Sequence, residues 1–169
     1  RSLSLQFERH TVRRRYVAFV SGSPPQDRGQ VDLSIGRDRR NSGAVSGDTA
    51  MPKTALTCYE VMERYGDVAA CLSVRPHTGR THQIRAHLTS IGHPILGDVL
   101  YGGATRVDPD RPPLARVMLH ADTLGYRHPA SGRYHEHRAE LPKELLALQT
   151  SLRKSEGLGK TPEDGPIIR

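Results

Sequence analysis

One stretch constrains this chain more than any other: Arg75-Pro-His-Thr-Gly-Arg-Thr-His-Gln-Ile-Arg-Ala-His-Leu-Thr-Ser-Ile-Gly-His-Pro-Ile-Leu-Gly-Asp-Val-Leu-Tyr101. It reads as a turn, a short amphipathic helix and a second tight turn. Ile84, Leu88 and Ile91 recur at helical spacing, Thr81 stands where an N-cap is expected, and Gly92 followed by Pro94 supplies the stop. Such a helix buries one stripe and presents another. Arg80, Gln83, Arg85 and His87 are the candidates for the presented side, more polar groups than burial alone explains.

The rest of the chain reads as a sheet that holds this stretch. Residues 68–74 form a strand that ends at the Thr78-Gly79-Arg80 turn, and residues 53–62 alternate as its hairpin partner around Tyr65-Gly-Asp67. Residues 11–20 form an earlier strand, with Tyr16, Ala18 and Val20 on one face and Val17 and Phe19 on the other. Val31, Leu33 and Ile35 alternate in a short second strand before a basic, glycine-bounded and mobile loop at 36–43. Residues 116–126 and 133–140 make another strand pair, and Pro142 opens a C-terminal helix that carries Leu145, Leu148 and Leu152. Leu3 and Phe7 share one side of a helix over residues 2–9 that starts abruptly, like the end of a longer element. The expected architecture is α+β, a mixed and largely antiparallel sheet with flanking helices. Residues 1–154 make one domain, and 155–169 a disordered tail.

At 169 residues with 36% hydrophobic content, the chain can bury a core. Its formal charge is +7, and all but four of its 25 basic residues (Lys53, Lys143, Lys154 and Lys160) are arginine. Arginine offers planar, bidentate donors suited to phosphates and base edges. Cys58 and Cys71 sit in apolar, strand-like surroundings without a C-x-x-C pattern, so free buried thiols are expected. No apolar run reaches membrane-spanning length and no signal peptide is visible, which leads to the expectation of a cytoplasmic protein with no membrane partner.

Several chemistries compete for the polar residues. His82 and His87 lie five apart, off the three or four that two metal ligands on one helical face need; His135 and His137 share a strand face without an obvious carboxylate or cysteine set. No G-x-S-x-G occurs, and Thr78-Gly-Arg-Thr81 lacks the glycines and lysine of a phosphate loop. Arginines on a helix, a strand tyrosine and a basic loop together suit a phosphate backbone and an extruded base. The residues alone therefore stop at an RNA- or DNA-binding surface. The run Arg13-Arg14-Arg15 reads most simply as a solvated strand start unless other basic groups converge on it.

Thr78-Gly-Arg-Thr-His-Gln-Ile-Arg85, Ala86-His-Leu88, Ile91-Gly-His-Pro-Ile-Leu-Gly-Asp98 and Tyr101-Gly102 closely resemble the signature of the RluA family of RNA pseudouridine synthases. Val12-Arg-Arg-Arg-Tyr-Val-Ala-Phe-Val20, Lys53-Thr-Ala-Leu-Thr-Cys-Tyr59, Leu119-His-Ala121, His128-Pro129 and Leu141-Pro142 are similar to further pieces, so the resemblance covers roughly residues 3–150. It implies the family's catalytic-domain fold and isomerisation of uridine to pseudouridine in structured RNA, ribosomal or transfer, by a monomer with no metal or organic cofactor. It also implies that Tyr16 stacks on the target base and that Arg85 pairs with a catalytic aspartate. Arg80, His82, Gln83, Arg14 and Arg37 are the expected RNA contacts.

The sequence departs from that pattern in one respect. The family's aspartate stands in a His-Arg-Leu-Asp-x-x-Thr-Ser-Gly type motif, and no such motif occurs in these residues. Neither Asp38 nor Asp98 matches it. The expectation is a domain lacking its N-terminal catalytic segment; the alternative is a non-catalytic RNA-binding module on the same scaffold.

Overall fold

The computed structural model describes residues 2–108 and 112–155. Its elements are α1 (Ser2–Glu8), β1 (Arg13–Ser21), β2 (Arg28–Asp32), β3 (Gly36–Arg37), β4 (Val45–Ser46), β5 (Leu56–Tyr65), β6 (Ala69–Pro76), α2 (Gln83–Ser90), β7 (Leu119–Arg127), β8 (Tyr134–Arg138) and α3 (Lys143–Ser155). Six strands form one sheet in the order β2-β5-β6-β1-β7-β8, and β3 pairs with β4 in a small ribbon. Every ladder among the described residues is antiparallel. Beyond Ser155, the expected C-terminal tail lies outside the described residues, as do residues 109–111 of the expected loop.

The sequence pattern explains the strand order. β1 and β6 are apolar on both faces, Val17–Val20 and Ala69–Val74 being buried apart from small exposures, and such strands belong at the centre of a covered sheet. The polar strands β2 and β8 take the edges. The register puts Tyr16, Ala18, Leu72, Val74, Leu119 and Ala121 on one face; Val17, Phe19, Cys71, Ser73 and His120 point the other way.

α2 covers the first face with Ile84 and Leu88. α3 covers the second, burying Leu145, Leu148 and Leu152 beside Phe19 and Tyr65, whose rings stack at 6.3 Å. Arg153 binds both oxygens of Glu63 at 2.6 and 2.8 Å, and Gln149 adds a third bond at 3.0 Å. Burial works to raise the Glu63 pKa, but these donors and the Tyr65 hydroxyl outweigh it and hold the carboxyl below its usual range. Burial pushes the Cys71 thiol up to about 12. Both cysteines are free, and Cys58 is only half-buried.

Four local expectations change. The arginine run is a solvated strand start only at Arg13, which is exposed; Arg14 and Arg15 are drawn inward. A bulge between Arg15 and Tyr16 leaves Asp122 as the extra residue of β7, and Arg15 binds it at 2.6 Å with both side chains largely buried. Arg13 pairs with Glu136, and Arg14 donates to the carbonyls of Pro76 and Thr78 at 3.4 and 3.0 Å. The basic loop at 36–43 is ordered by Asp38, whose carboxylate accepts from Arg40 N–H, Asn41 N–H and the Ser46 hydroxyl, and which holds the β3–β4 ribbon closed. The second strand runs three residues earlier than its alternation predicts, because its ladder with β5 spans Arg28–Asp32; Ile35 keeps only an isolated bridge to Lys53. Thr81 does not cap α2, for reasons that belong to the site.

Candidate active site

β6 hands the chain directly into a turn locked by one amide. The Gln83 side-chain oxygen accepts from the Thr78 hydroxyl at 2.7 Å and the Arg80 N–H at 3.0 Å. Its NH₂ donates to the Leu56 carbonyl and the Thr57 hydroxyl, each at 3.0 Å. All four hydrogen-bonding positions are filled inside the protein, so Gln83 locks the turn and has no donor or acceptor left for RNA. With the Arg80 N–H satisfied this way, α2 starts at Gln83 without a Thr81 cap, and His82 takes the cap position in a left-handed conformation (φ 51°). His87, expected on the presented side, is fully buried with its Nε2 at 3.0 Å from the Leu33 carbonyl oxygen.

From this fixed start, one helical turn carries Arg85 toward the loop at 91–103. Arg85 Nε and Nη2 donate to the two Asp98 oxygens at 2.6 and 2.7 Å. The Asp98 side chain is 1% exposed and that of Arg85 18%. Asp98 is held by its own backbone: its carbonyl accepts from Gly103 N–H at 2.8 Å, and its N–H donates to the Ile95 carbonyl. Gly97 permits the tight approach, with φ 76° and a position where a Cβ would meet the Arg116 carbonyl oxygen at 2.1 Å. Hydrogen bonding to Asp98 pushes the Arg85 pKa further up.

Tyr101 closes the cluster. Its ring lies 4.8 Å from the Arg85 guanidinium, and its hydroxyl accepts from Val45 N–H at 2.9 Å, tying the β3–β4 ribbon to α2. The same hydroxyl is 3.3 Å from His82 Nδ1, and the two rings meet edge-on at 5.9 Å. Partial burial, and then the Arg85 charge, lower the His82 pKa, so that ring is kept neutral near pH 7.

Arg14, Tyr16, Arg80, His82, Gln83 and Arg85 all line one open cavity of about 250 Å³. An apolar cavity of ~150 Å³ takes a benzene ring, so this one has room for a pyrimidine. Tyr16 is half-buried there, and its hydroxyl has no hydrogen-bond partner among the described residues. The Arg85 Nη1 is likewise uncommitted. Arg37 lies outside this cavity, but with Lys53, Arg80 and His82 it lines an adjoining groove of about 570 Å³. The sequence reading missed Asp98 as the partner of Arg85. Its signal was present in the Gly97-Asp98 pair within the motif, but a separation of 13 residues across a turn does not reveal contact.

Comparison with known proteins identifies the family. A family model described as RNA pseudouridylate synthase matches residues 1–90. An uncharacterized RNA pseudouridine synthase of Bacillus subtilis, YlyB, is 38% identical over 154 residues, covering 91% of this chain and 48% of its own length. The dual-specificity RNA pseudouridine synthase RluA of Pasteurella multocida is 38% identical over 134 residues, 76% of this chain and 57% of that protein. The solved structure of human RNA pseudouridylate synthase domain containing 1 matches with a TM-score of 0.69 and 29% identity, over 90% of this chain and 70% of that one. The chain spans about half the length of the curated relatives it matches. The family match spans more than half of the residues and includes Tyr16 and the turn that leads to Arg85; the chain belongs to the RNA pseudouridylate synthase family, of the RluA type.

Proposed function

We propose that these residues form the base-binding part of a synthase that isomerises uridine to pseudouridine in ribosomal or transfer RNA, as a cytoplasmic monomer. The observation that carries this reading is the convergence of the Tyr16 ring and the Arg85 guanidinium on one cavity of about 250 Å³. A uridine turned out of its stack enters this cavity and lies against Tyr16. Arg80, with Arg37 and Lys53 in the adjoining groove, holds the phosphates on either side. Arg14 contributes charge at the cavity wall while its guanidinium stays on the Pro76 and Thr78 carbonyls.

Arg85 works between two carboxylates. Asp98 takes Nε and Nη2 and fixes the plane of the guanidinium. Nη1 then presents a donor to the aspartate that the family resemblance requires, which is not among the aspartates of this sequence. Asp98 does not serve as that aspartate in this reading, because it is buried and both its oxygens are already engaged. The reaction breaks N1–C1′ and forms C5–C1′; the C5 hydrogen leaves as a proton and N1 gains one, so no redox partner or cofactor is needed.

The test uses the full-length protein and RNA labelled with tritium at uridine C5, since each isomerisation releases one tritium to solvent. Tritium release from wild type, and its loss in Tyr16→Ala, is the expected result. Salt-dependent RNA binding with no release would favour the non-catalytic RNA-binding module instead.

A further inference from the structure

Away from the cavity, the outer hairpin carries an aromatic array on the same sheet face. Arg14 shares its face with Tyr16 and pairs in register with Leu124; Leu124 pairs with His137, and Tyr126 with His135. Antiparallel partners point the same way, so Tyr126, His135 and His137 stand on the face that holds the cavity, about 10 Å from Arg14 across two strand spacings. The three rings are nearly parallel. Tyr126 lies 6.1 Å from His135 and 5.7 Å from His137, with 21° between planes in each case, and the two imidazoles are 6.5 Å apart at 10°. His128 adds a tilted ring 5.6 Å from His135. The imidazoles are exposed, Tyr126 is half-buried, and Leu124 between them and Arg14 is 38% exposed, so no core accounts for the grouping.

Charge points in the same direction. The acidic residues of this hairpin turn to the other face, where Glu136 binds Arg13 and Arg138 and Asp122 binds Arg15. The array face of β7 and β8 carries no carboxylate. Among the described residues no group of three His, Cys, Asp or Glu has the geometry to hold a metal ion. Parallel aromatic and imidazole rings beside a basic cavity, with acids withdrawn, suit unpaired bases.

We propose that Tyr126, His135 and His137 form a stacking platform for the single-stranded nucleotides that flank the target uridine, extending the RNA path across β7 and β8. This rests on the synthase reading above. It adds a contact surface about two strands away from the reacting base, and a source of preference for unpaired flanks.

Two measurements on the full-length protein test it. Single-stranded RNA carrying 4-thiouridine, photocrosslinked to wild type, is expected to label the Tyr126 or the 134–138 segment; labelling confined to the cavity and its groove overturns the proposal. Binding of the same RNA at pH 8 is expected to weaken roughly 5- to 100-fold in Tyr126→Ala/His135→Ala/His137→Ala, in line with one stacked base. His135→Phe/His137→Phe, which keeps the rings, is expected to bind within about threefold of wild type, which also separates stacking from misfolding. An unchanged affinity in the alanine variant of an enzyme that still releases tritium overturns the platform and leaves the synthase reading intact. Absence of tritium release from wild type overturns that reading itself.

Discussion

Asp98 grips Arg85 through both carboxylate oxygens, at 2.6 and 2.7 Å, from a position with 1% of its side chain exposed. The pair joins α2 to the loop that follows it and sets the direction in which the guanidinium faces the cavity. A buried pair broken on one side leaves an uncompensated charge. Asp98→Ala is therefore expected to lower stability by about 3 kcal/mol, the low end for buried pairs because Arg85 keeps 18% exposure to water. Urea unfolding measures this, and an unchanged midpoint would remove Asp98 from the role.

Gln83 has a different kind of importance. It closes the 78–83 turn with four hydrogen bonds, two in each direction. Gln83→Ala is expected to cost about 2–4 kcal/mol through the polar groups it orphans. It also frees the Arg80 N–H, whose hydrogen exchange should quicken well beyond that of the α2 interior. Gln83→Glu cannot donate to the Leu56 carbonyl and is expected to be no better than alanine. An RNA affinity that falls in either variant with stability unchanged would restore Gln83 as a direct contact.

Stability should also respond to pH through His87. Burial lowers the pKa of its ring, Nε2 donates to the Leu33 carbonyl, and Nδ1 is buried without a partner. Protonation would place a second N–H where nothing accepts it. The folded pKa lies below the unfolded value of about 6.5, so the unfolded chain takes up the proton first. Stability is then full above about pH 6.5 and falls as pH drops below it, until the folded state also protonates. His82 shifts in the same direction, again through burial. The urea midpoint of wild type is expected to fall between about pH 7 and pH 5, above the carboxylate range, and to fall less in His87→Phe. A midpoint that rises over that interval would contradict the assignment.

The sheet was legible because its pattern is local. Alternation in residues 11–20 and the turn at Tyr65-Gly-Asp67 each mark an element without any distant contact, and the structure places β1, β5 and β6 there. The cavity was legible only through the resemblance, which named Tyr16 and Arg85. What escaped depended on tertiary partners. The Arg13-Arg14-Arg15 run looks solvated until the bulge in β7 supplies Asp122. Gln83 and His87 look presented by helical spacing, yet Thr57 and Leu33, distant in sequence, draw them inward. The loop at 36–43 looks mobile because its order comes from one carboxylate, Asp38, reaching back across its own turn.

The most direct measurement follows tritium release from RNA labelled at uridine C5, with Arg85→Ala and wild type compared in the full-length protein. Arg85 orients the catalytic carboxylate in this account and carries little of the RNA affinity, which rests on Arg80, the adjoining groove and stacking. Arg85→Ala is expected to slow release about 100-fold or more, while the Kd for RNA changes less than about threefold. Equal losses in release and binding, or release that continues at the wild-type rate, would contradict the central claim.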